Sequence, residues 1–380
     1  MFGRPGAITQ ACDGHHRAGV TRQLTLQPMK PNFNLNQTPL VVIWETTRAC
    51  DLACFHCRAC AQPLRDPMEL TTVEAKKLLD DIAELNPPIF IFTGGDPLKR
   101  PDIFELVHYA AMKQMHPAMT PSATPLLTRD ALLELKRSGL HRLALSLDGP
   151  TAELHDTFRG VPGSFEQTLQ ALSWCSEIGL PVQINTAVSK RNIGELENIL
   201  AVIRDFKLAM WSLFFMVPTG RAELVDLPEP EEFEEAFARL FKMSRNVPFK
   251  VKTTEAPHYR RYLLQHRRNS ENAASNGVPG ILPVNEAKGF VFISHTGEVQ
   301  PSGFLPISAG NVLYQGLTDI YRDSKLFCDL RDSENLEGKC RLCEFRDICG
   351  GSRARAYAMT GNMFAADPCC IYQPKQMQAV

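Results

Sequence analysis

The sequence predicts an α/β fold: a partial (β/α)6 TIM-like barrel followed by a small Cys-rich C-terminal module. Three observations predict it. Six short apolar runs alternate with amphipathic helical stretches, the pattern of a parallel sheet with crossover helices. Hydrophobic residues make up 44% of 380, enough for one large core with an appendage. The cysteines collect in two windows, one after the first apolar run and one near the end of the chain.

The elements follow in order. Leu40-Val41-Val42-Ile43-Trp44 is a continuous apolar run, as expected of a buried parallel strand. Thr71 with Glu74 forms a capping box. It opens a helix with Ala75, Leu78, Leu79 and Ile82 on one face. Ile89 to Thr93 is the next strand, followed by a helix over 104–115 and a weak strand near 118–122. A helix over 131–138 stops at Gly139, a suitable C′ residue. Leu143 to Leu147 is a strand, and Ser164 with Gln167 reads as a second capping box. Val182 to Val188 is a strand, 193–206 a helix, 210–217 a strand and 231–244 a helix. Six units are fewer than the eight of a full barrel, so an open barrel is expected. A doubly wound sheet is the alternative, since periodicity does not separate the two.

Residues 1–36 read as a disordered tail, 37–250 as the core domain, 251–285 as a helical or loop linker, and 286–380 as the Cys-rich domain. Within the linker, 269–281 is polar. Phe290 to Val299 reads as a β-hairpin.

Composition excludes several classes. Lys+Arg total 41 and Asp+Glu 42, which argues against a nucleic-acid partner. The apolar run at 210–217 is far shorter than the roughly 20 residues of a membrane span. Residues 1–31 hold no apolar h-region, so a cytoplasmic protein is expected. In that compartment 12 cysteines read as metal ligands rather than disulfides.

Cys50, Cys54 and Cys57 have the spacing Cys-x3-Cys-x2-Cys directly after the first strand. Three thiolates hold three irons of a 4Fe-4S cube and leave the fourth open for chemistry. Cys60 is the alternative fourth ligand, which would close the site around zinc or a structural cluster. Gly94-Gly95-Asp96-Pro97 follows the second strand and Ser146-Leu147-Asp148-Gly149 ends the fourth. Strand C-termini are where α/β folds place active sites. Asp96 suits an ammonium group; Ser146 and Asp148 suit a ribose or amino-acid head group.

Together these features, from Trp44 to about Arg221, resemble the radical S-adenosylmethionine (SAM) enzymes. The resemblance implies that SAM binds the open iron, with His56 before the last cysteine of the motif. It implies that Gly94, Gly95 and Asp96 meet the SAM amino group, and that Ser146 and Arg159 meet its ribose and carboxylate. Asn185 and Pro218, in Val217-Pro218-Thr219-Gly220-Arg221, match ribose and adenine contacts. Asp96 stands where the family has glutamate.

Cys340, Cys343, Cys349 and Cys370 supply four more thiolates, enough to close a second 4Fe-4S cluster. Zinc is the alternative on spacing alone. The run from Cys349 to Ala358 and the segment Asp367-Pro368-Cys369-Cys370 resemble a shortened SPASM auxiliary-cluster domain. The branch is that of alternative haem and haem d1 biosynthesis. The resemblance puts Cys370, not Cys369, at the ligand position. Relatives often place a cysteine before Gly-Phe-Leu-Pro, where this chain has Ser302. One auxiliary cluster is therefore expected.

The implied function is reductive SAM cleavage to a 5′-deoxyadenosyl radical. That radical would drive oxidative modification, for example decarboxylation, of a tetrapyrrole or peptide, with a one-electron donor such as flavodoxin or ferredoxin. Rivals are a ribosomal-peptide maturase, a non-catalytic metal scaffold and a zinc-site nucleic-acid binder. His258, Arg260, Arg261, Arg353 and Arg355 are candidate carboxylate binders, with a structural role favoured for the last two.

Overall fold

The computed structural model describes residues 33–267 and 282–378. Most of the expected N-terminal tail and the polar stretch 269–281 lie outside them. Asn34–Val380 forms one compact unit.

The first six strands are β1 (Val41–Glu45), β2 (Ile89–Thr93), β3 (Pro117–Met119), β4 (Arg142–Ser146), β5 (Val182–Val188) and β6 (Leu208–Phe215). They pair in sequence order, all parallel. The crossover helices are α1 (Thr72–Leu85), α2 (Ile103–Met112), α3 (Arg129–Arg137), α4 (Ala152–Arg159), α5 (Ser164–Ile178) and α6 (Leu196–Ile203). The capping box of α1 forms as read, and Ala75, Leu78, Leu79 and Ile82 are buried.

The second capping box does not form. Ser164 is the first residue of α5, and Gly163 is its N-cap without a side-chain bond. Ser164 Oγ instead donates to Asp156. Asp156 accepts the Phe165 and Gly163 amides, so a carboxylate from α4 caps α5. The preceding helix does the work that the sequence assigns to a local pair.

The sheet also continues past six strands. After α7 (Pro230–Met243) the chain forms β7 (Lys250–Thr254), parallel to β6, and then α8 (His258–Arg267). The stretch read as a linker thus begins with a strand. Its sequence, Lys-Val-Lys-Thr-Thr, lacks the apolar run that marks its neighbours. The expected hairpin is present as β8 (Phe290–Ile293) and β9 (Glu298–Gln300), and β10 (Gly310–Asn311) extends it. In addition, β8 pairs parallel with β1. The strand order is therefore 10-9-8-1-2-3-4-5-6-7. Its parallel part, 8-1-2-3-4-5-6-7, is the order of a full barrel with the β7–β8 pairing unmade.

That seam is filled by the C-terminal region. Glu255 follows β7 and Glu286 precedes β8. Ser352 Oγ lies 2.7 Å from Glu255 Oε2 and 3.3 Å from Glu286 Oε1, tying the two edges together. Ser352 also caps α12 (Arg353–Thr360), which follows the short helices α9 (Leu317–Asp323), α10 (Lys325–Arg331) and α11 (Gly338–Leu342). Arg355 and Asp367 form a wholly buried ion pair. Arg355 also donates to the Met216 and Glu255 carbonyls at the ends of β6 and β7. No helix among the described residues is long and apolar enough to cross a membrane.

Candidate active site and cluster module

A cavity of about 220 Å³ opens at the C-terminal ends of the strands. Cys50, Cys54 and Cys57 all line it, as do His56, Gly94, Gly95, Ser146, Arg159 and Asn185. The loop after β1 delivers the cysteines. Cys50 Sγ lies 3.3 Å from Ser122 Oγ and 3.4 Å from the Leu52 amide. Cys57 Sγ accepts from the Ala61 amide at 3.4 Å. Burial pushes the Cys50 and Cys54 thiols up, a bias that metal binding reverses by taking the thiolate.

Close backbone contacts hold this loop. A Cβ on Gly95 would sit 2.5 Å from the Ala49 carbonyl and 2.7 Å from that of Arg48. Gly220, at φ +70°, leaves no room for a side chain above the Cys57 and Arg58 carbonyls. Arg221 then bonds the Cys54 carbonyl at 2.9 Å and that of Ala61 at 3.1 Å. It is a brace for the cysteine loop, not a surface charge.

Several sequence-predicted residues sit behind the wall. Asp96 is fully buried, and its carboxylate accepts from Thr124 Oγ1 and the Leu98 and Ser122 amides. Burial raises its pKa to about 6 despite these bonds. It shapes the turn that presents Gly94 and Gly95. Asp148 is also fully buried and pairs with Arg159. Burial, the largest influence, would raise its pKa, but the Arg159 guanidinium together with His56, His155 and the Ala187 amide holds the carboxyl below its usual range. Pro218 is half-buried and stands next to the cavity wall, which Met216 and Val217 form. Cys60 is exposed and does not line the cavity. Sequence reading missed Thr93, Ser122, His155 and Phe304, which line it. The strand-end positions of Thr93 and Ser122 offered a signal.

The buried polar atoms around this cavity are incomplete. His56 Nδ1, Arg159 Nε and Arg221 Nη2 have no hydrogen-bond partner. Burial lowers the His56 pKa to about 4, so its ring is neutral. Unpaired buried polar atoms beside three free thiols fit a site completed by a polar group and a cluster.

Cys340, Cys343, Cys349 and Cys370 line a second, smaller cavity of about 20 Å³. Cys369 instead packs into the main core, 2% exposed. Cys340 Sγ accepts from the Asp367 amide at 3.4 Å and from Arg353 at 3.8 Å; Cys349 Sγ accepts from the Gly351 amide at 3.5 Å. Among the described residues no three His, Cys, Asp or Glu groups converge on a single ion.

The candidate carboxylate binders are otherwise engaged. Arg353 bonds the Met363 and Ala365 carbonyls, Arg261 pairs with Glu234, and Arg260 bonds the Ile348 carbonyl and Asn285. His258 and Arg261 line the second cavity, not the first. The three arginines serve the module, because each lies where a carbonyl or carboxylate needs a donor; His258 is buried and neutral, and neither of its ring nitrogens has a hydrogen-bond partner.

The profile of the Radical SAM superfamily matches residues 44–203. An AdoMet-dependent heme synthase of Oleidesulfovibrio alaskensis is 38% identical over 379 residues, covering 96% of this chain and 94% of that one. An AdoMet-dependent heme synthase of Methanosarcina barkeri is 38% identical over 90% of this chain and 98% of its own. The crystal structure of Streptococcus suis SuiB bound to S-adenosylmethionine shares the fold. Its TM-score is 0.71 at 16% identity, over 88% of this chain and 78% of that one. Members of this superfamily carry a 4Fe-4S cluster and use SAM. Identity of 38% over more than nine-tenths of both chains goes well beyond a shared fold, and the chain belongs to the radical SAM superfamily.

Proposed function

We propose that the protein is a haem-pathway radical SAM enzyme that oxidatively decarboxylates propionate side chains of a tetrapyrrole. The observation that carries the reading is the 38% identity to AdoMet-dependent heme synthases over nine-tenths or more of each chain. Convergence of Cys50, Cys54 and Cys57 on one cavity supports it.

Cys50, Cys54 and Cys57 would hold the first cluster. Cys340, Cys343, Cys349 and Cys370 would hold the second. When bound, the first cluster and SAM supply a 5′-deoxyadenosyl radical that removes a hydrogen atom from substrate. Net, a propionate loses one hydrogen atom, one electron and carbon dioxide and becomes a vinyl group. The hydrogen goes to the deoxyadenosyl group. The released electron balances the one used to cleave SAM.

The chain's own residues bind, orient and exclude water. Arg159, set by Asp148, would meet the SAM carboxylate as a fixed cation. The Gly94 and Gly95 backbone receives the amino group, with Asp96 holding the turn. Ser146 and Asn185, opposite each other on β4 and β5, meet the ribose. Neutral His56, Met216 and Val217 keep the cavity poor in water. We also assign the protein to the cytoplasm, with a flavodoxin or ferredoxin as electron donor and no nucleic-acid partner. Among the described residues the cysteines form no disulfide, and with a net charge of -1 this supports that setting.

The test is anaerobic reconstitution followed by incubation with SAM, dithionite and iron coproporphyrin III. Vinyl-bearing porphyrin by mass spectrometry is expected, together with 5′-deoxyadenosine. SAM cleavage with the porphyrin unchanged would refute the substrate.

A further inference from the structure

Lys252 on β7 lies in register with Ser212, Ser212 with Asn185, and Asn185 with Ser146. Paired neighbours point to one face of a sheet, and alternate residues along a strand share that face. Ser146, Asn185 and Phe214 line the active-site cavity. Lys252 on β7 and Arg142 on β4 therefore face the same barrel lumen. Contact between Ser212 Oγ and Thr254 Oγ1 at 3.4 Å fits this parity.

Neither cation has a partner. Among the described residues no carboxylate pairs with Lys252 or Arg142, and Arg142 Nε is buried without a hydrogen bond. The charges nearest Lys252 are Arg142 and Arg260, both of its own sign. Arg260 is already bonded to Ile348 and Asn285. Burial, and then these two charges, lower the Lys252 pKa to about 8. Its side chain nonetheless remains solvent-accessible. It is exposed on the lumen face of β7, outside the lining of the active-site cavity, where a solute can reach it. Like charges gathered there without an acid are unfavourable unless an anion joins them.

We propose that Arg142 and Lys252 form a carboxylate-docking site in the barrel lumen that anchors a propionate of the tetrapyrrole substrate. This rests on the tetrapyrrole reading above and names where that substrate is held. Lys252 stands two strand spacings, roughly 10 Å, from Asn185 at the SAM cavity. A rigid macrocycle with carboxylates at its rim spans such a gap, so one propionate is held while another reaches the reacting end. Arg142 supplies a planar fork for the carboxylate and Lys252 a point charge. Both are positioning residues and do no chemistry.

Iron coproporphyrin III, titrated into the reconstituted holoenzyme and followed by its absorption, tests the site. Wild-type protein should bind it, and the tetramethyl ester should bind far less. Lys252→Met and Arg142→Met should each weaken binding roughly tenfold or more, while Lys252→Arg keeps most of it. Neither Met variant should lose iron or thermal stability, since each removes an unpaired cation. Porphyrin binding that both substitutions leave unchanged overturns the docking site alone. No porphyrin binding by wild-type protein overturns the tetrapyrrole reading and this inference with it.

Discussion

Asp148 pairs with Arg159 in the cavity wall, and the same guanidinium reaches Cys54 Sγ at 3.8 Å. One buried carboxylate thus sets a cation that lines the cavity and reaches one of the three thiols of the motif. Its backbone is fixed too: the Asp148 amide donates to His155 Nδ1 at 3.0 Å. Breaking a buried pair from one side leaves an uncompensated charge and costs about 3–5 kcal/mol. Asp148→Ala should therefore lower the unfolding free energy by roughly that amount and raise the KM for SAM. The milder Asp148→Asn should fold and still raise KM. Unchanged KM in a folded Asp148→Asn protein would refute the positioning role.

Metal content separates the cysteines. Reconstituted protein should hold about eight irons, from two four-iron clusters. Cys54→Ala should drop the count to about four and abolish 5′-deoxyadenosine formation. Cys60→Ala should change neither, because Cys60 is exposed and outside the cavity. Iron loss in the Cys60 variant would move that residue into the ligand set.

Adjacent cysteines should behave oppositely. Cys370 faces the second cavity, whereas Cys369 is packed in the core. Cys370→Ser should lose about four irons and collapse the C-terminal module. Cys369→Ser should keep its iron and lose about 1–3 kcal/mol through a buried hydroxyl. Iron analysis and thermal melting of the pair decide it; the reverse pattern would reassign the ligand.

Stability should fall with rising pH through the seam between β7 and β8. Burial first, and then the neighbouring Glu286 charge, raise the Glu255 pKa from its ordinary 4.5 to about 8. Folded protein holds a proton there that the unfolded chain releases above about 4.5. Its contribution is therefore fully present below 4.5 and lost as pH rises to about 8. Melting temperatures of wild type and Glu255→Gln between pH 5.5 and 8.5 measure this. The wild-type slope should be the steeper; parallel slopes would exclude Glu255 as its source.

Much of the barrel was legible because its strands are buried on the helix face and still apolar on the half-buried lumen face. Val42 and Trp44 on β1, or Phe90 and Phe92 on β2, point into helices, while their alternates point into the lumen. Apolar runs of this kind announce themselves. β7 was illegible for the same reason inverted: Lys250 and Lys252 fill its lumen positions, so no run forms. The cap of α5 was misread because its carboxylate, Asp156, comes from the previous helix.

By itself the sequence determined the alternating strands, the three-cysteine motif, its Gly-Gly-acid and serine companions, and the four C-terminal thiols. Those signals are local, since spacing along the chain is set by covalent geometry and hydrophobic period. Tertiary structure decided which way each side chain faces. It turned Asp96 into the wall, put Asp148 behind Arg159, sent Cys369 to the core and left Arg142 Nε buried without a partner. Such choices depend on which distant groups satisfy a buried charge or donor, and only the folded chain brings those groups together.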